Sequence, residues 1–553
     1  MPPRAQAFAA YLATNRCRIA LLMAAPPVFA LLVMLSGKEA GWDLQNYHWY
    51  NPYAWLNQRL GLDVAVAHHA TYYNPLIDLP FYWIATHAPA WLAGVYLGAL
   101  FGVVVTLLGA IVYQAIAGTN IAWRTTIALL IAIAGASGGG ALSALGNTSN
   151  DVPVAIGIFA ALWLLLWRFA QLQSAQLTMQ LAMTVLFAGV CAGVSVGLKL
   201  TMAIYALGLL VATFMTPSTW HKRSSCTVLL GIGMLFGYIA SAGFWLWRMW
   251  QYGRNPLFPY FNHWFHSPLL VDGSYRDTTY VDAHDWLDKL LLPWRFTLDS
   301  RQVSEWVFRD PRILLAYVLI PVSLLVMKMG KRSQPAATSQ QAMSFFLFCF
   351  AASTYLAWVS VFGIYRYLIP LEMLAPLLIT LAVLLWPATL RLRITIIVIT
   401  LLAGQTIVKT DMQRTHWDDA YVQVQPPSLI DPHSMILMTG TWPMAFVIPS
   451  FPASIPFLRI DGWMVGKDDN SSGLARQLRN RVAHHEGPLL MLYGPLEQAN
   501  ADAAVQAYGL RRFPESCVKI PSNIADPLQL CSVERIDTVD FAYDVGTRDG
   551  NTK

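Results

Sequence analysis

Polar and aromatic side chains crowd the stretch Gly41-Trp42-Asp43-Leu44-Gln45-Asn46-Tyr47-His48-Trp49-Tyr50-Asn51-Pro52 and recur at Tyr72-Tyr73-Asn74-Pro75-Leu76-Ile77-Asp78. The set contains carboxylates able to take a proton, amides able to read hydroxyls and phenol rings able to stack on a flat partner. If the chain after Asp43 is helical, Asp43, Tyr47 and Tyr50 share one face at i, i+4 and i+7. Asn51-Pro52 then closes that run, because a residue before proline is pushed out of helical geometry. Asp43 is the candidate general base, with a helix cap or a structural ion pair as the alternatives. Asp78 is a weaker candidate of the same kind. Asp63 lies in a more polar context and is expected to be solvated.

Three cations complement these groups. Lys199 lies in Gly197-Leu198-Lys199-Leu200-Thr201, Arg254 in Gly253-Arg254-Asn255-Pro256-Leu257-Phe258-Pro259, and Arg366 in Tyr365-Arg366-Tyr367-Leu368-Ile369-Pro370. Together they could hold an anionic group such as a phosphate; singly, each could only snorkel. The turn Gly146-Asn147-Thr148-Ser149-Asn150-Asp151 is a further polar segment that either lines a cavity or caps the helix starting near Pro153. His48, His68, His69 and His87 fall close together, but no pair has helical ligand spacing, so no metal site is expected. The serines and cysteines form no nucleophile elbow.

The elements that must position these residues are set by composition. The 553 residues are 56% hydrophobic and only 12% charged, about half the charge of an ordinary soluble domain. Apolar runs of about 17 to 25 residues, the length of a bilayer crossing, start near Ile19, Ala90, Thr125, Val152, Leu181, Met202, Thr227, Ile313, Met343, Tyr367 and Ile394. The fold class expected is therefore mainly α: a polytopic membrane bundle of about eleven helices, residues 1–410. A cleaved signal peptide at the first run is the alternative there. The glycines Gly138, Gly139 and Gly140 lie within an apolar run and are expected to serve close helix packing.

Lys and Arg concentrate in cytoplasmic breaks. Arg4, Arg16 and Arg18 precede the first run, and every second break carries Arg124, Arg168, Lys222 with Arg223, Lys328 with Lys331 and Arg332, or Arg391 with Arg393. The N-terminus is thus expected in the cytoplasm. Residues 37–89, 249–312 and 411–553 would then lie outside. The same side holds Asp43 and the three cations, where a charge near the hydrocarbon boundary reads as functional by default. An aromatic belt at headgroup level accounts for Trp49, Tyr53 and Trp55. It does not account for Asp43, Asn46, Asn74 and Asp78.

Residues 411–553 have soluble composition. Met435-Ile436-Leu437-Met438 and Leu489-Leu490-Met491-Leu492 read as strands ending in turns, with a helix over 472–485 between them, so a small α/β domain is expected. Cys517 and Cys531 both fall in this tail and are expected to pair in an oxidising compartment; two free thiols are the alternative. Cys17, Cys191, Cys226 and Cys349 accompany apolar runs, where a thiol behaves as a small hydrophobe. The formal charge of +6, with no basic patch interleaved with aromatics, excludes a nucleic-acid binder.

A first span followed by an outer loop opening on an Asp, the Gly-x-Lys-x-Thr element at Lys199, the Arg254-Asn255-Pro256 segment, the Arg-Tyr-x-x-x-Pro at Arg366 and a soluble tail together resemble the GT-C superfamily of membrane glycosyltransferases. The resemblance covers residues 1–410. It implies a polyprenyl-phosphate-linked sugar as donor and a glycan, lipid or protein as acceptor, in a bacterial inner membrane with the tail periplasmic. Asp43 would be the catalytic base. Asn46, Tyr47, Tyr50, Asn51, Tyr73, Asn74, Asp78, Lys199, Arg254, Asn255 and Arg366 would bind substrate, and displacement in one step would invert the anomeric centre. Members often carry an Asp-Asp or Asp-Glu pair where this chain has Asp43 alone, which leaves metal dependence open; no cofactor is expected. A lipid-linked-glycan flippase and a non-catalytic envelope scaffold are the competing readings. The chain shows no matched internal halves, which counts against the flippase.

Overall fold

A computed structural model describes residues 22–116, 121–280, 285–330 and 339–536. Arg4, Arg16, Cys17, Arg18, the start of the first run at Ile19, Lys331 and Arg332 lie outside the described residues. Seven described helices are long and apolar enough to cross a membrane: Ala90–Ala115, Met179–Leu198, Trp220–Gly253, Arg312–Met329, Ser339–Val361, Tyr365–Leu384 and Leu390–Ile407. The remaining expected spans coincide with shorter apolar helices, Ala25–Ser36, Ile121–Ala136, Ala155–Trp167 and Leu200–Met215. The chain divides into two compact units.

The first unit, Met1–Lys38, Trp91–Phe244 and Asp277–His416, holds the long helices except the last turns of Trp220–Gly253, from Trp245 on, which belong to the second. Its centre is the helix Ile369–Leu384, buried at every residue from Ile369 to Val383, as a helix apolar all round must be. The helices Met179–Leu198 and Trp220–Gly253 meet through glycines at every fourth position. A Cβ on Gly189 would overlap the Leu230 carbonyl, one on Gly193 the Met234 carbonyl, one on Gly233 the Leu186 carbonyl and one on Gly237 the Val190 carbonyl. Without side chains the backbones approach until dispersion contacts hold them, the association available to helices in lipid.

Hydrogen bonds between breaks sort the ends of this unit. Gln340 Nε2 donates to the Ala115 carbonyl at 2.6 Å, Ser339 Oγ to Gln173 Oε1 at 3.1 Å, and Lys222 Nζ to the Ser174 carbonyl at 2.6 Å. Arg124 closes on the Tyr113 carbonyl at 2.5 Å. At the other end, Arg309 and Lys409 exchange backbone bonds of 3.2 and 3.0 Å. The Asp411 amide there donates to Ser143 Oγ at 2.9 Å. The breaks carrying Arg124, Arg168 and Lys222 therefore share one end, linked to the break that follows Lys328. That is the alternation expected of antiparallel crossings.

The second unit gathers Glu39–Ala90, Trp245–Arg276 and Trp417–Lys553, so the tail is joined by parts of segments 37–89 and 249–312 rather than standing alone from 411. A six-stranded sheet organises it, with strands β1 (Met435–Met438), β2 (Phe457–Arg459), β3 (Leu489–Tyr493), β4 (Leu510–Arg512), β5 (Val518–Ile520) and β6 (Leu528–Arg535). Spatial order is β2-β1-β3-β6, and β4 and β5 both pair along the far edge of β6. The pairs β1–β2 and β1–β3 are parallel and those to β6 antiparallel. The expected helix is Gly473–Ala483, capped by Ser472 through the Ala475 amide. Cys517 and Cys531 form the expected disulfide.

The segment around Val64 extends the sheet past β2: its amide donates to the Phe457 carbonyl at 3.0 Å, and the Arg459 amide returns a 3.0 Å bond to the Val64 carbonyl. Asp63, expected to be solvated, is only 1% exposed. Arg59 grips it with two bonds of 2.5 and 2.7 Å, and it also accepts from the Tyr50 hydroxyl and the Phe457 amide, both at 2.9 Å. Four donors offset the desolvation of this carboxylate. Pro52 also differs from expectation: it sits in the first turn of the helix Tyr50–Leu56 rather than ending one, because a first-turn position needs no amide hydrogen.

Replacement of Gly193 by Leu should block the Met179–Leu198/Trp220–Gly253 contact and abolish monodisperse protein. Size-exclusion profiles and thermal melts in detergent read this; a wild-type melting temperature would contradict the packing described.

Candidate functional site

Each unit carries a cluster of the residues singled out by type and spacing. In the first unit, Lys199 ends the helix Met179–Leu198, where its backbone turns extended, and Arg366 sits in the short helical turn Tyr365–Leu368. Both reach Asp151. Lys199 Nζ is 2.5 Å from Asp151 Oδ1, and Arg366 Nε is 4.0 Å from Oδ2. Lys199 also donates to the Ser149 carbonyl at 2.6 Å, and Arg366 pairs with Glu305 at 3.1 Å. Both cations lie against the Tyr367 ring, 5.4 and 5.5 Å from its centre. The side chain of Asp151 is fully buried, whereas those of Lys199 and Arg366 are 17% and 18% exposed. A buried carboxylate thus holds two cations whose tips remain reachable, an arrangement suited to gripping an anion.

A second charged cluster in this unit is closed. Asp310 accepts from the Gly139 amide at 2.7 Å, and Glu372 accepts from the amides of Gly140 and Ala141 at 3.1 and 3.0 Å. Arg312 pairs with Asp310 at 2.8 Å, and the Tyr365 hydroxyl donates to Glu372 at 2.7 Å. Gly138, Gly139 and Gly140 therefore admit carboxylates as well as packing closely, since a Cβ on Gly138 would overlap Glu372.

In the second unit Asp43 is 7% exposed and precedes a π-helical turn, Leu44–His48. This wider turn separates the residues expected on one face. Tyr47 packs on His48 and edges onto Tyr73, at 4.0 and 5.4 Å between ring centres, and Tyr73 bonds Tyr260 at 2.5 Å. Tyr50 instead points its hydroxyl at Asp63. Asp78 pairs with His48 Nδ1 at 2.8 Å, both buried. The asparagines hold backbone: Asn46 and Asn51 donate to the Ala67 and Ala70 carbonyls at 3.3 and 2.8 Å, and Asn74 caps the Leu76 amide at 3.1 Å. Asn255 clamps its own loop through Leu257 and Tyr260, both at 2.9 Å. Arg254 is exposed, with φ +55°.

Among family models, curated proteins and solved structures, none matches this chain. The geometry alone carries the reading.

Two contributors escaped the sequence reading. Trp463, in the tail, stacks on Trp42 at 5.5 Å and packs tilted on His68 at 4.8 Å, placing an exposed indole beside the residue that precedes Asp43. Asp151 was noted only as part of a polar turn; the Gly-x-Lys-x-Thr spacing gives no hint that Lys199 would reach back to it. No group of three or more metal-ligating side chains occurs among the described residues.

His68 is buried beneath Trp463, and burial, followed by the Arg459 guanidinium, pushes its pKa from 6.5 to about 2. Between pH 6.5 and about 2 the unfolded chain binds a proton that the folded one refuses, so stability falls as pH drops through this window. Replacing His68 with Gln should flatten that part of the stability profile relative to wild type, as measured by thermal melts at stepped pH.

Proposed function

We propose that this chain is an integral membrane glycosyltransferase that transfers a sugar from a polyprenyl-phosphate donor to an envelope glycan, lipid or protein acceptor on the extracytoplasmic face, with inversion. The observation that supports it most is the meeting of Lys199 and Arg366, distant in sequence, around one buried carboxylate. A phosphate leaving group needs no general acid, being a weak base already; it needs preorganised positive charge as its bond to the anomeric carbon breaks. Asp151 fixes the two cations, and their exposed tips offer that charge.

The acceptor hydroxyl needs a base. Asp43 takes this role, and Tyr47 and Tyr73, brought together with His48 and Asp78 in the second unit, offer ring faces and polar groups to sugars. Asn46, Asn51, Asn74 and Asn255 position backbone around them. Tyr50 serves the Asp63 cluster through its hydroxyl.

The same reading takes the seven long and four shorter apolar helices as eleven crossings. The basic breaks tied together at one end then face the cytoplasm, and the tail lies in the periplasm of a bacterial inner membrane. The Cys517–Cys531 disulfide agrees with that side, since oxidising compartments preserve such bonds.

With a fluorescent polyprenyl-phosphate sugar and an envelope fraction as acceptor, purified protein should produce labelled glycan. Asp43→Asn, inserted and monodisperse, should lose at least about a hundredfold in rate, the lower range for a positioned base. Arg366→Gln should lose about 10²- to 10³-fold in turnover, as removal of a charge-stabilising donor does. Near-full transfer by Asp43→Asn would remove it from the mechanism, and near-full transfer by Arg366→Gln would remove the cation pair.

A further inference from the structure

The second unit contains a cavity of about 450 Å³ whose lining includes Tyr50, Asn51, Trp55, Gln58, Trp245 and Arg248. The volume lies within the usual range for a small-molecule site. Its walls supply three separate recognition elements. Trp55 and Trp245 meet at 69° with ring centres 5.7 Å apart, and Trp245 is fixed by a 2.9 Å bond from Nε1 to the Tyr72 carbonyl. Asn51 is 4% exposed; its Nδ2 is held by Ala70, but its buried Oδ1 accepts no hydrogen bond from any described residue. Arg248 is half-buried and makes no ion pair with a described residue. Asp63 also lines the cavity, yet both its oxygens are taken by Arg59, Tyr50 and Phe457, so it leaves the Arg248 guanidinium available.

These elements call for one ligand with three features: an anion for the guanidinium fork, a hydroxyl to donate to Asn51 Oδ1, and a flat apolar face for the indoles. A sugar acid has all three. We infer that this cavity binds an acidic sugar residue of a glycan, through a carboxylate–Arg248 pair, a hydroxyl bond to Asn51 and stacking on Trp55 or Trp245. A phosphatidylglycerol headgroup offers the anion and hydroxyl but no ring face, which is why the carbohydrate is favoured. The site is argued from the cavity alone and does not rest on the transfer reaction; an acceptor rich in uronic acid would occupy it in the proposed function.

The test uses full-length protein in a polyoxyethylene detergent, free of sugar, with no donor present. Titration with a hyaluronan tetrasaccharide, followed by tryptophan fluorescence and calorimetry, should give saturable binding, and cellotetraose should bind at least about tenfold more weakly. Arg248→Gln should weaken hyaluronan binding by at least about tenfold, the order for losing hydrogen bonds to a charged group, and Trp55→Leu should weaken both sugars. Should Arg248→Gln fail to purify, Trp55→Leu alone decides. Absence of saturable binding, affinity unchanged in the purified variants, or glycerol 3-phosphate competing as well as the tetrasaccharide would each overturn the inference. Since no donor is present, this binding readout is independent of transfer: failure of the donor-and-acceptor assay alone would sink the proposed reaction and leave the site standing.

Discussion

Glu372 is the one charge on the helix Ile369–Leu384, the most enclosed in the first unit, and the arrangement around it depends on keeping that carboxylate satisfied. An unpaired ion there would cost several kcal/mol, of the order of about 3–5 for a broken buried pair. The chain answers with two backbone amides, a phenol and the nearby Arg312–Asp310 pair. To deliver those amides, residues 138–141 must press their backbone against the carboxylate, which only glycine at Gly138 and Gly140 permits. The same contact joins the break after Ile121–Ala136 to the start of Arg312–Met329. Arg312 then extends the knot to the Ser137 carbonyl and Gln405. One acid thus ties together the breaks from which the helices of this end are hung.

The Asp151 cluster uses the same principle with the opposite sign. There a single buried carboxylate gathers two cations, one of which also pairs with Glu305, and both cations keep part of their side chains at the surface. One knot is shut away from solvent and the other is partly exposed, which separates a structural cluster from a candidate binding one more clearly than residue type does. The second unit repeats the contrast. The Asp63 carboxylate is saturated by four donors, while Arg248, close enough to line the same cavity, has no counter-charge among the described residues.

Much of the fold was legible because hydropathy and turn chemistry act locally. The apolar runs, the strands at Met435 and Leu489, the Ser472-capped helix and the Cys517–Cys531 pair follow from neighbours in sequence. What was not legible depends on distant partners. Asp63 looked solvated since nothing near it shows that the Phe457 amide and the Tyr50 hydroxyl converge there with Arg59. The π-helical turn at Leu44–His48 sent Tyr47 and Tyr50 to different partners, a departure that no period-3.6 count reveals. The four-residue spacing of Gly189, Gly193 and Gly197 drew no expectation, because its meaning needs the facing Gly233 and Gly237. Of the candidate site, Lys199 and Arg366 meet at Asp151, Arg254 belongs to the second unit, and the asparagines read as hydroxyl contacts mostly brace backbone.

The discontinuity of the second unit bears on how the chain is made. Val64 finds its strand partner at Leu458, and Arg59 donates to the carbonyls of Ala453 and Ile455, 394 and 396 residues further along the chain. During synthesis the opening segment emerges first and waits, its sheet edge bare and its Arg59–Asp63 pair lacking the tail's carbonyls and amide, until the last quarter of the protein has been delivered. Assembly of this unit is consequently a late event in synthesis, and the interval before it is when the nascent protein is most open to chaperones, proteases and mispairing.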